Sequence, residues 1–131
     1  MSMKPAKSCL DVGMIVKDIH QSLAFYVDLL GLQKVGELPT PFGQMHRLSF
    51  GDSFIKLIHP TETPAAGALG VSNSLGFRYL TFQVSNIDEV CASCERAGVN
   101  FDMPKQEFMP GLAIMMMRDP DGNIVEVIER H

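Results

Sequence analysis

Two stretches of this chain share one plan: LDVGMIVKDIHQSLAFYVDLLG at residues 10–31 and FRYLTFQVSNIDEVCASCERAG at residues 77–98. Placing Asp11 on Tyr79 aligns Val16 with Val84, Asp18 with Asn86 and Ile19 with Ile87, and leaves Gly31 and Gly98 one residue out of step. Each stretch begins with alternating apolar residues, the pattern of a half-buried strand. Each then reaches an N-cap residue, Asp18 or Asn86, with Gln21 or Glu89 three positions on to complete a capping-box pattern. Ile19, Leu23, Tyr26 and Leu30 form an apolar stripe on the first helix. A glycine suited to the left-handed position after a helix closes each stretch.

Three strands follow each helix. In the first half LQKVGEL precedes QMHRLSF, a Gly51-Asp52 turn and SFIKLIHP. Two central residues with glycine first favour a type II′ hairpin. In the second half NFDMPKQEF precedes LAIMMMR, the turn DPDG and NIVEVIER. Pro120 at the second turn position and Gly122 at the fourth fit a type I turn. The sequence therefore predicts an α+β domain over residues 1–131 made of two βαβββ modules, 8–60 and 76–131. A loop rich in Pro, Gly, Ala and Ser joins them at residues 61–75.

Composition narrows the function. The 131 residues suit one domain, 46% of them are hydrophobic, and the formal net charge is −4. That acidity argues against nucleic acid as a partner. No apolar run approaches the roughly 18 residues that span a bilayer. Charged residues near the start argue against a signal peptide and point to the cytoplasm. Cys91 and Cys94 form a C-x-x-C, but Ile87, Val90, Cys91, Cys94 and Ala97 fall on one apolar helical face. That spacing favours small core residues over ligands or a redox pair.

The run V-x-D-I-x-x-S-L-x-F-Y-x-x-x-L-G-L from Val16 to Leu32, with DPDGNIVE at residues 119–126, resembles the vicinal oxygen chelate superfamily. That group includes glyoxalase I, extradiol dioxygenases and bleomycin-resistance proteins. The resemblance implies two modules closing into a cup-shaped β-sheet pocket, a small-molecule ligand and a homodimer. In metal-dependent members four strands each supply one ligand to a divalent ion. Carried over by position, those four places fall on Asp11, Lys56, Tyr79 and Glu126, and only Glu126 has the family's ligand type. Asp11 and Glu126 could ligate a metal. A protonated lysine has three donors and no acceptor. The expectation is therefore a site without metal or other cofactor, with the Lys56 ammonium held between the two carboxylates.

Alternation along the strands assigns the other faces. Ile15, Ser49, Phe54, Thr81 and Gln83 should join those four on the cup side, with Arg47 opposite Lys56 across the Gly51-Asp52 turn. Met115 and Met117 are expected to line the pocket and Met116 the core. The ligand should be mainly apolar or aromatic, with an anionic or carbonyl group near Arg47 and Lys56. Four readings stay open: a metal-free binder, a metal-independent lyase or isomerase using Lys56, Tyr79 and Glu126, a metal-dependent enzyme with unusual ligands, and a purely structural ion cluster.

Overall fold

The repeat appears in three dimensions as two units of like construction. The computed structural model describes residues 2–72 and 74–131; Asn73, inside the expected connecting loop, lies outside them. The first unit runs to Pro64 and the second from Ala65. Among the described residues, no helix is long and apolar enough to cross a membrane.

In the first unit β1 (Val12–Ile15) leads into α1 (Ile19–Leu23), then β2 (Gln33–Thr40), β3 (Gly43–Phe50) and β4 (Ser53–His59). In the second, β5 (Tyr79–Gln83) leads into α2 (Ile87–Arg96), then β6 (Phe101–Met109), β7 (Leu112–Arg118) and β8 (Ile124–Arg130). The sheet orders are β1-β4-β3-β2 and β5-β8-β7-β6. The first and last strands of each unit pair in parallel and the other neighbours antiparallel. The helical crossover makes the parallel pairing possible, because a tight turn cannot join parallel strands.

One local device explains the misfit of the repeat. The chain continues from α1 into a π-helical segment, Ala24–Leu29, where the Leu30 N–H donates to the Phe25 carbonyl. A π turn holds one more residue than an α turn, so it absorbs the residue by which Gly31 lags Gly98. The wider turn also lets two consecutive side chains, Phe25 and Tyr26, be buried together, edge to face with centroids 4.9 Å apart. Leu23 and Leu30, expected on the buried stripe, are only partly covered.

The helix caps differ from the sequence pattern in one case. Asp18 accepts from the His20 and Gln21 N–H groups at 3.0 and 3.2 Å, as an N-cap should. Asn86 makes no side-chain cap; its amide donates to Glu89 instead. The Ile87 N–H donates to Glu129 on β8, which does the capping from the sheet.

The turns hold as expected. Gly51 has φ of 55° and no non-glycine among the described residues has positive φ, which matches the φ signs of a type II′ turn. In DPDG the Gly122 N–H donates to the Asp119 carbonyl at 3.0 Å. The buried Asp119 carboxylate takes the N–H groups of Asp121 and Asn123, so its role is to shape the turn. Cys91 and Cys94 are buried in α2, and burial pushes the Cys94 thiol up to about 11. A thiol held that far from its thiolate packs as a small apolar group.

Candidate functional site

Alternation along each sheet separates a helix-covered face from an open one. On β4, Ile55 and Leu57 are buried on the helix side, which leaves Phe54 and Lys56 on the other. On β8, Val125 and Val127 are buried and Glu126 points the opposite way. Directly paired residues in neighbouring strands share a face. One row across the first sheet therefore reads Gly36, Arg47, Lys56, Gly13. The equivalent row in the second reads Met103, Met116, Glu126, Thr81.

In the first unit, Asp11 sits just ahead of β1. One of its carboxylate oxygens accepts the Lys7 ammonium at 2.7 Å and the Phe54 N–H at 2.7 Å. The Lys7 hydrogen bond, then that of Phe54, hold its carboxyl below the ordinary aspartate value, with Lys56 the last and smallest contribution. The expected Lys56 clasp is corrected at this end: Asp11 is bonded to Lys7, a residue that sequence reasoning missed although its i, i+4 spacing was visible. Lys7 also donates to the Asp52 carbonyl at 3.0 Å, tying the N-terminal segment to the β3–β4 turn.

Arg47 lies directly opposite Lys56, as the hairpin register required. Its guanidinium rests over the Phe54 ring, 4.3 Å from the centroid, and the Lys7 ammonium is 4.8 Å from the same ring. Cation–π contact of this kind orients a guanidinium while leaving its edge donors available. Lys7, Val35, Arg47, Ser49, Gly51, Asp52 and Phe54 line an open depression of about 710 Å³. Ile15 is exposed on β1.

In the second unit, Glu126 faces Thr81, whose hydroxyl donates to its carboxylate at 2.7 Å. Parallel β5–β8 pairing sets Thr81 beside it. Tyr79 is 51% exposed, and Gln83 is exposed at the other end of β5. The methionine assignment is reversed. Met115 and Met117 are fully buried and pair with Val127 and Val125 on the helix side, whereas Met116 pairs with Glu126 on the open face.

The profile of the Glyoxalase/Bleomycin resistance protein/Dioxygenase superfamily matches residues 9–127. The chain belongs to this superfamily. It is 27% identical over 138 aligned positions to a lactoylglutathione lyase of Pseudomonas aeruginosa, which covers 87% of this chain and 77% of that protein. A glyoxalase family protein from Enterococcus faecalis superposes with a TM-score of 0.75 at 25% identity, covering 95% of this chain and 98% of the other. A lactoylglutathione lyase from Agrobacterium tumefaciens gives 0.69 at 25% identity, with 96% of both chains covered.

The superfamily's divalent ion can be tested against the residues at its four positions. Within the first unit they are a carboxylate already bonded to an ammonium and a lysine with no lone pair to offer. Within the second they are an exposed tyrosine and a carboxylate bonded to a hydroxyl. An ammonium at a ligand position adds repulsion toward a cation that water only partly screens. The donor set does not fit a divalent metal.

Proposed function

We propose that this superfamily member binds a small amphiphilic or aromatic molecule without a metal ion. The observation that carries the reading is the pairing of Lys56 directly opposite Arg47, at a place where the resemblance to the superfamily puts a metal ligand. Two cations side by side suit a ligand's polar end and repel a divalent ion. Phe54 and the depression beside it supply an apolar contact. A homodimer and a cytoplasmic setting belong to the same reading.

A binding test decides it. The purified chain should bind hydrophobic aromatic probes equally well before and after extensive chelation, and elemental analysis should find no stoichiometric transition metal. A tightly held nickel, manganese or zinc ion whose retention requires Glu126 overturns the reading.

A second reading is a metal-independent lyase or isomerase, favoured by the 27% identity to a lactoylglutathione lyase. Lys56 or Glu126 would then be the base, Tyr79 the acid or oxyanion donor, and Arg47 the orienting group. Turnover that disappears in Tyr79→Phe while probe binding persists selects this alternative.

A further inference from the structure

The row across the first sheet, Gly36–Arg47–Lys56–Gly13, contains two cations and two residues without side chains. Neither Arg47 nor Lys56 forms a hydrogen bond or ion pair with an acid among the described residues. The nearby carboxylate of Asp11 is already bonded to Lys7. Like charges directly opposite one another in a ladder destabilise it. The pair is therefore a standing cost in the unliganded protein, and a bound anion would remove it.

The flanking glycines point the same way. Neither Gly13 nor Gly36 has positive φ, so the backbone does not demand glycine at either place. A Cβ built at either position meets nothing within 4 Å, so packing within the unit does not demand it either. Gly36 borders a register shift in β2, which gives it one structural use, but Gly13 has no such role. Glycine inside a strand often marks a close approach by a ligand. Together the row offers two cationic donors, neither of them ion-paired with an acid among the described residues, above a bare stretch of backbone.

We infer that this row seats the carboxylate of a small ligand whose apolar body lies toward Phe54 and Val35. The sequence left open an anion or a carbonyl; the pair of facing cations decides for the anion, because a neutral carbonyl would leave their repulsion in place. Carboxylate is the assigned class, since the guanidinium held over Phe54 is a planar fork of donors that matches two coplanar oxygens. The inference rests on the binding function proposed above and names the ligand class of that same site.

Phenylacetate and 2-phenylethanol share one apolar body and differ in charge, so titrating the full chain with each tests the inference. The acid should bind at least roughly tenfold tighter than the alcohol. Added salt should weaken the acid and leave the alcohol unchanged. Arg47→Met should bring the two within about twofold of one another. Gly13→Ala should fold normally and weaken the acid, because its methyl group occupies the seat. Lys56→Met should weaken the acid and also raise the melting temperature of the free protein by roughly 1–3 °C, a gain that a merely structural lysine would not give. Equal binding of acid and alcohol overturns the inference and leaves the amphiphile reading intact. Binding of neither, at the highest soluble concentration, overturns both. Tighter binding of phenylphosphonate than of phenylacetate replaces the carboxylate with a tetrahedral anion and overturns the assigned class.

Discussion

The two units share a plan on their covered faces and diverge on their open ones. On the helix side Leu48, Ile55 and Leu57 of the first unit correspond to Met117, Val125 and Val127 of the second, and all six are buried. On the open side Arg47 and Lys56 correspond to Met116 and Glu126, and Gly13 to Thr81. Burial constrains both copies alike because apolar area removed from water is what stabilises each sheet against its helix. The opposite faces carry that constraint only in places, at Ile58, Ile114 and Ile124, and in the row of Lys56 and Glu126 the chemistry has separated: one row is cationic and bare at its flanks, while the other holds a carboxylate whose hydrogen bond is met by its neighbour.

The largest expected effect tests that division in the second unit. Met115→Ala removes a fully buried side chain and should cost about 2–5 kcal/mol in urea unfolding. Met116→Ala, on the open face beside Glu126, should cost less than about 1 kcal/mol. Reversed magnitudes would mean that the two faces of β7 are assigned the wrong way round.

This pair also marks where reading the sequence stops. The face of Arg47 could be counted from a two-residue turn, because Phe50 must pair with Ser53 and every later pair follows. No such count was available for β7, whose last residue, Arg118, pairs with Ile124 across a five-residue connection shaped by buried Asp119. A run of three methionines carries no alternation of its own, so its register stayed hidden. Long-range partners were hidden for a related reason. Thr81 meets Glu126 through a parallel pairing 45 residues apart, and nothing local encodes it. The extra residue in the first helix was legible as a misfit of the repeat, but its absorption into a π turn was not.

An intermediate effect contrasts the two helix starts. Asp18→Ala removes a side chain bonded to two backbone N–H groups and should cost about 1 kcal/mol. Asn86→Ala removes no cap and should stay within about 0.5 kcal/mol. In the second unit the loss should instead come from Glu129→Ala, which frees the Ile87 N–H and should cost about 1 kcal/mol. Thermal melts of the three variants measure this directly. A costly Asn86→Ala beside a harmless Glu129→Ala would show that the two helices are capped alike after all.

The smallest effect concerns a place where the covered faces differ in polarity. His46 stands in the first unit where Met115 stands in the second, 7% exposed and paired with Leu57. Burial lowers its pKa from 6.5; Glu37, with Oε1 3.2 Å from Nδ1, opposes that shift, and Lys34, His59 and His20 reinforce it. Because the folded value lies below the unfolded one, the unfolded chain takes up the proton first as pH falls. The contribution of His46 to stability is therefore complete above pH 6.5 and is lost as pH drops through its folded pKa. His46→Met copies the second unit's residue into the first and should flatten the decline in melting temperature below that pH. An unchanged slope would place the titration on other groups and leave the two covered faces electrostatically equivalent.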